Sequence, residues 1–331
     1  MAHSEIEEYT PAHAPAAIDL WNRTLGAAFP MTERLWRQNV DTDPNYAPGD
    51  GLIARDRAGA VVGLTLTRTL RRHGAADRAD MAALRDLGWI LALIVAPDTQ
   101  GQGLGSQLLA LSEQRLRAGG AIRCDLGGGL GHFLPGPPHH DARALAFWER
   151  HGYQRGDVVH DLRRSLRDYT AAPQPEALRS GAFRIEPGQD GEQDSIIRFL
   201  SSAFPGRWRY AVEATFARGG APEDVLLLKD HAGRIQGFLS AWSFRSATLG
   251  PSAYWYPALG ERFGGIGPLG IAEEARGLGL GLSLVAAGVS ALKARGVEEC
   301  GIDWTRLVAF YERLGFRVWR SYYRCAEKPL T

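Results

Sequence analysis

Three cysteines in 331 residues leave little scope for covalent stapling. Cys124, Cys300 and Cys325 cannot all pair, and their spacing matches no metal-binding pattern. No metal site is expected, and a reducing, cytoplasmic setting is. Long apolar runs are also missing, since none reaches the ~18 residues that a membrane span needs. The N-terminal Met1-Ala2-His3-Ser4-Glu5-Ile6-Glu7-Glu8 is acidic and carries no apolar signal core. Charge of one sign is not in excess either. With 38 Lys plus Arg against 37 Asp plus Glu, the net charge is +1, so no field is available for nucleic acid or an anionic membrane. The local basic cluster of Arg68, Arg71 and Arg72 reads as a solvated face.

Glycine, by contrast, is abundant at 40 residues, and part of it falls twice into the same pattern. Gln100-Gly101-Gln102-Gly103-Leu104-Gly105 follows the apolar run at 89–95. Arg276-Gly277-Leu278-Gly279-Leu280-Gly281 follows 266–271. Each precedes a segment with apolar residues every three or four positions, so each predicts strand, glycine turn, helix. That order gathers a helix N-terminus and free backbone N–H groups in one concavity, which suits a pyrophosphate.

The repeat extends beyond the glycines. Ala28-Phe29-Pro30 recurs as Ala203-Phe204-Pro205. Paired strands around Ala58-Gly59 recur around Ala232-Gly233. Ala146-Phe147-Trp148-Glu149-Arg150 matches Ala309-Phe310-Tyr311-Glu312-Arg313. Landmarks in one order indicate tandem duplication. The expected domains are 1–168 and 181–331, joined by a Pro/Ala-rich linker at 169–180. Each half predicts an α/β (α+β) fold, a mixed twisted sheet flanked by helices.

Two other glycine-rich motifs fit poorly. A dinucleotide-binding turn opens the first βαβ unit and is followed by an acidic residue about twenty positions on. Here the turn lies mid-domain. A Walker A loop needs Gly-Lys-Ser/Thr, absent from both copies.

Together with Phe310-Tyr311-Glu312-Arg313-Leu314-Gly315-Phe316, the two turns resemble the GNAT superfamily of acetyl-CoA-dependent N-acyltransferases. The resemblance implies two tandem GNAT folds with acetyl-CoA as cofactor. The coenzyme pyrophosphate would lie on Gln100, Gly101, Gln102, Gly103, Leu104 and Gly105, and on Arg276, Gly277, Leu278, Gly279, Leu280 and Gly281. Val95, and in the second half Leu269, Gly270 and Ile271, would run beside the pantetheine arm. The family often places a tyrosine after the fifth strand to protonate the departing thiolate. Tyr311 holds that position in the second half and Trp148 in the first, so the second half is the expected engine and the first a degenerate or regulatory copy. Asp303, at the end of the preceding strand, is the candidate base; capping the next helix is its competing role, for which Thr305 is a rival. Glu273 and Glu274 are secondary candidates.

The stretch 126–138, rich in glycine and proline, is expected to be an exposed loop offering His132 and Phe133 to a substrate. Gly131-His132-Phe133-Leu134-Pro135-Gly136-Pro137-Pro138, with the run from Ile302-Asp303-Trp304-Thr305 to Phe310-Tyr311, is similar to glucosamine and glucosaminide N-acetyltransferases, Leu134 and Pro137 departing from that family's pattern. That implies acetyl transfer to the 2-amino group of an amino sugar, with Trp304 as a stacking face; Trp208, Trp242 and Trp255 offer others. A mycothiol-synthase-like reading, with a cysteinyl amine as acceptor, is the alternative. A non-enzymatic acetyl-CoA sensor or scaffold is the other. A monomer whose halves form a pseudo-dimer is the expected state.

Overall fold

The computed structural model describes residues 4–44, 46–70, 78–171, 173–326 and 328–330. Arg71 and Arg72 lie outside them. Arg68 is not on a solvated face: it is buried and ion-paired with Asp43 at 2.6 Å.

The first half runs β1 (Glu5–Glu8), α1 (Ala14–Leu25), α2 (Glu33–Trp36), β2 (Gly51–Arg55), β3 (Val61–Thr69), β4 (Leu87–Val95), α3 (Leu104–Ala118), β5 (Arg123–Leu126) and α4 (Ala142–Arg150). Then β6 (Gln154–Ser165) and the short α5 (Glu176–Arg179) lead onward. The second half repeats the plan: β7 (Phe183–Pro187), α6 (Gln193–Ala203), α7 (Arg207–Ala217), β8 (Val225–Asp230), β9 (Ile235–Ser243), β10 (Phe263–Ile271), α8 (Leu280–Ala294), β11 (Glu299–Thr305) and α9 (Val308–Glu312). Strands β12 (Arg317–Ala326) and β13 (Lys328–Pro329) close the chain.

Two mixed sheets result, ordered β1-β2-β3-β4-β5-β13 and β12-β6-β11-β10-β9-β8-β7. The first sheet is antiparallel except for the parallel pair of β4 with β5; in the second, β10 and β11 run parallel, while β6 with β11, β10 with β9, β9 with β8 and β8 with β7 run antiparallel. Helices α3 and α8 are the crossovers that parallel pairing demands. In α8, Leu284, Val285, Val289 and Leu292 are fully buried in a cluster with Leu226, Leu239 and Ile266 of the sheet.

The chain divides into residues 1–159 with 321–331, and residues 160–320. The division therefore does not fall at the Pro/Ala-rich stretch. After α4, strand β6 pairs with β11, whereas β13 pairs with β5. The first unit is thus completed by the C-terminal segment, and the second is one continuous stretch that begins within β6. The stretch 169–180 lies within the second unit and is tied to α8. The Tyr169 hydroxyl donates to the Ala286 carbonyl at 3.0 Å, and Lys293 Nζ donates to the Tyr169 carbonyl at 2.8 Å.

The segment 126–138 is largely buried rather than exposed. Phe133 is 2% exposed, edge-on to Trp21 at 5.1 Å and stacked on Trp36 at 6.3 Å. His132 is buried, its Nδ1 3.2 Å from the Gly129 carbonyl. Glycine and proline suggested a surface loop because they break periodicity. Here they let the backbone thread an interior too narrow for side chains: a Cβ on Gly127 would lie 2.3 Å from the Leu134 carbonyl oxygen.

Candidate active site

In the second unit the parallel pairing of β10 with β11 ends at Ile266 opposite Ile302. Beyond it β10 continues through Leu269, Gly270 and Ile271, paired only with β9. The two strands thus separate, leaving one edge of β10 open to an extended ligand. The first unit repeats this: β4 and β5 pair as far as Ile90 and Leu126, then Leu93 to Val95 pair with β3 alone.

A glycine turn follows each key strand. Gly103 and Gly279 cap α3 and α8 with φ of 92° and 75°, a left-handed conformation that side chains resist. The residue before each turn is anchored alike. Gln100 Nε2 donates to the Val95 carbonyl at 2.9 Å, and Arg276 Nε to the Ile271 carbonyl at 3.1 Å. The first four N–H groups of α3 and α8 lack intrahelical partners and form the positive end of each helix. Beside the first turn lies a cavity of about 500 Å³ lined by Val95, Gln100, Gly101, Gly103, Arg143 and Arg150. Paired arginines, free amides and a cleft leading along an open strand edge fit an acyl-coenzyme A pyrophosphate and its arm.

At the split of the second unit stands Asp303, the residue after the last parallel pair. It is partly buried, and a Cβ on Gly267 would lie 3.8 Å from its Oδ1. The carboxylate therefore points across the split toward β10, which bulges between Ile266 and Leu269. Burial foremost, and then the charge of Asp161, push the Asp303 carboxyl up to about 7; its own backbone N–H and the cation of Arg207 oppose the rise. Asp303 does not cap the next helix. Thr305 Oγ1 accepts the Leu307 N–H at 2.9 Å.

Tyr311 on α9 is 8% exposed, edge-on to Phe310 at 5.0 Å. Burial and then the Asp303 charge push its phenol up to about 12, so it stays protonated at physiological pH. Trp304 has φ of 43°, the one non-glycine positive φ among the described residues. The Arg207 guanidinium covers its ring at 4.6 Å.

Asp303, Trp304 and Tyr311 thus gather in the second unit, while His132 and Phe133 are interior to the first. Glu273 and Glu274 are exposed. Trp242 and Trp255 are buried at 5% and 4% exposure, leaving Trp208 the open one of that group at 43%. Sequence reasoning missed Asp161 and Arg207. Asp161 had one signal, an acid at an inward position of the alternating strand β6. In the first unit the residue after the last parallel pair is Gly127, and Trp148 stands where Tyr311 does. Among the described residues no cluster of His, Cys, Asp or Glu could hold a metal, and no helix is long and apolar enough to cross a membrane.

The split between parallel strands, with a glycine turn at a helix N-terminus, defines an acyl-CoA-dependent acyltransferase fold, present twice. Comparison with known proteins narrows the class. A GNAT acetyltransferase domain model matches residues 49–155, and the GNAT acetyltransferase family model matches residues 194–316. Mycothiol acetyltransferase of Salinispora arenicola is 31% identical over 293 residues, 85% of this chain and 82% of that protein. Mycothiol acetyltransferase of Acidothermus cellulolyticus is 29% identical over 244 residues, 69% and 68% of the two chains. A solved structure of a GCN5-related glucosamine N-acetyltransferase region in a fungal multi-domain GH3 β-N-acetylglucosaminidase matches with a TM-score of 0.88 at 25% identity. That match covers 99% of this chain, which spans 38% of the fungal protein's length. A tandem GNAT protein from the clavulanic acid biosynthesis pathway shares the fold, with a TM-score of 0.66 at 16% identity over 99% of both chains. The chain belongs to the GNAT acetyltransferases, with two GNAT domains in tandem.

Proposed function

We propose that the protein transfers an acetyl group from acetyl-CoA to the 2-amino group of glucosamine or a glucosaminide, and that the second unit performs the chemistry. The observation that carries the choice of unit is the position after the last parallel strand pair, Asp303 in one unit and Gly127 in the other. Trp148 in place of Tyr311 removes the phenol as well; an indole N–H is no practical proton source.

When bound, the coenzyme supplies an activated thioester. Asp303 takes the proton of the attacking amine. A carboxyl at about 7 is half ionised near neutrality and well matched to an amine of pKa about 8. Tyr311 then donates to the departing sulfur. A thiol ionises near pH 8.5, so full transfer from a phenol at about 12 is uphill by roughly 5 kcal/mol while Asp303 is charged. The two groups are coupled: once Asp303 has taken the amine proton, one of the causes that raise Tyr311 is gone. The amine proton thereby makes the phenol a better donor as the thiolate leaves. In the first unit we propose coenzyme binding without turnover.

The amino-sugar acceptor is supported by the 0.88 TM-score to the fungal glucosamine N-acetyltransferase region. A second acceptor class is favoured by the curated relatives, eight of which are mycothiol acetyltransferases. Thiol release from acetyl-CoA, measured with glucosamine, chitobiose, a cysteinyl-glucosamine compound, spermidine and a short peptide, separates the readings. Release with the amino sugars supports the first. Release with the cysteinyl compound alone replaces it with the second, and coenzyme binding without release on any amine indicates a sensor.

A further inference from the structure

The antiparallel register of β11 with β6 shifts between Ile302, which faces Leu162, and Thr305, which faces His160. Asp303 and Trp304 therefore share the single opposing residue Asp161. This is a two-against-one bulge, the device that re-aims a side chain at the end of a ladder. Its second residue has the positive φ already noted, and its N–H donates to Asp161 Oδ1 at 3.2 Å. Asp161 is only 5% exposed, so this is a carboxylate held inside the protein beside another.

We propose that Asp161 is the positioning residue of the site: from the facing strand it holds the two-residue bulge of Asp303 and Trp304 at the strand split, and it sets a second carboxylate beside Asp303. The inference rests on the reading of Asp303 as the base. Without the Asp161 acceptor, the Trp304 N–H would be free to turn back into a regular strand. A regular strand would keep Asp303 on the face opposite Ile302 and turn over Trp304 and the residues that lead into α9, because side chains alternate with a period of two. The charged and titratable groups that face Asp303 are Asp161 from β6, Arg207 from α7 and Tyr311 from α9. Of these Asp161 alone raises its proton affinity, adding to burial, while Arg207 opposes.

The test is a pH titration of aspartate side-chain carboxyls by carbon-13 NMR on the full chain, with no ligand. Burial raises Asp41 and Asp224 too, so the Asp303 resonance is assigned by its loss in Asp303→Asn. In Asp161→Asn, which keeps an oxygen for the Trp304 N–H but no charge, that resonance moves to lower pH. In Asp161→Glu, which keeps the charge on a longer arm, it stays near the wild-type midpoint; this variant carries the test if the asparagine protein does not fold. An unmoved midpoint in Asp161→Asn, or a midpoint in Asp161→Glu as low as an ordinary carboxylate, overturns the role of Asp161 and leaves the base assignment standing. No resonance titrating near neutrality in the wild type overturns the base assignment itself.

Discussion

Replacing Asp303 by asparagine is predicted to make the protein more stable and inactive. The folded carboxyl holds its proton up to about pH 7, against an ordinary value of 3.8. Between those values the folded chain binds more protons than the unfolded chain, so stability falls as pH rises through the window and the whole penalty is present above pH 7. Roughly three units at 1.36 kcal/mol each set a ceiling of about 4 kcal/mol, and the carboxyl's partial exposure lowers the realised value. Asparagine is nearly isosteric and carries no charge, so it removes this cost. For a unit of this size, about 2–4 kcal/mol corresponds to a rise in melting temperature of roughly 5–10 °C. Calorimetric melts of wild type and Asp303→Asn at pH 5.5 and pH 8 measure it, with acetyl transfer assayed in parallel. The predicted difference is larger at pH 8, and turnover is lost. Equal differences at both pH values, or a less stable variant at pH 8, refute the electrostatic reasoning. Catalytic groups that cost stability are a familiar trade-off.

Three further outcomes are expected. Tyr311→Phe lowers kcat about 10- to 1000-fold, the usual scale of acid assistance, and leaves the KM for acetyl-CoA nearly unchanged; steady-state kinetics checks both. Valine at Gly103 or at Gly279 meets a left-handed backbone, so each substitution lowers a calorimetric coenzyme stoichiometry of two to one, and only Gly279→Val abolishes turnover. Phe133→Ala empties the contacts with Trp21 and Trp36 and destabilises the first unit by about 3–5 kcal/mol in urea unfolding, a loss that a surface role would not produce.

Much of this fold could be read from periodicity and glycine placement. Helices α3 and α8 begin at the glycine turns, directly after the left-handed Gly103 and Gly279. The exchange of β6 and β13 between sheets was not legible. An alternating pattern marks a strand but says nothing about which sheet edge it joins. The buried course of 126–138 was hidden for a related reason. Glycine-rich sequence breaks periodicity equally whether the chain is exposed or threaded past Trp89 and Leu91, against which Gly129 packs without room for a Cβ. Within the candidate site, Asp303 and Tyr311 were found through strand ends and motif. Asp161 and Arg207 come from β6 and α7, far from the motif in sequence, and only the register of β6 against β11 brings Asp161 to the bulge.

The assignment of chemistry to the second unit is tested most directly by the double variant Asp303→Asn, Tyr311→Phe. Glucosamine acetylation is followed by mass spectrometry of the product, with glycine and tryptophan left in place at 127 and 148. The wild type is expected to form N-acetylated sugar and the double variant none above background, with coenzyme binding retained in both. Acetylated product from the double variant at the wild-type rate would place the reaction elsewhere in the chain and contradict that assignment.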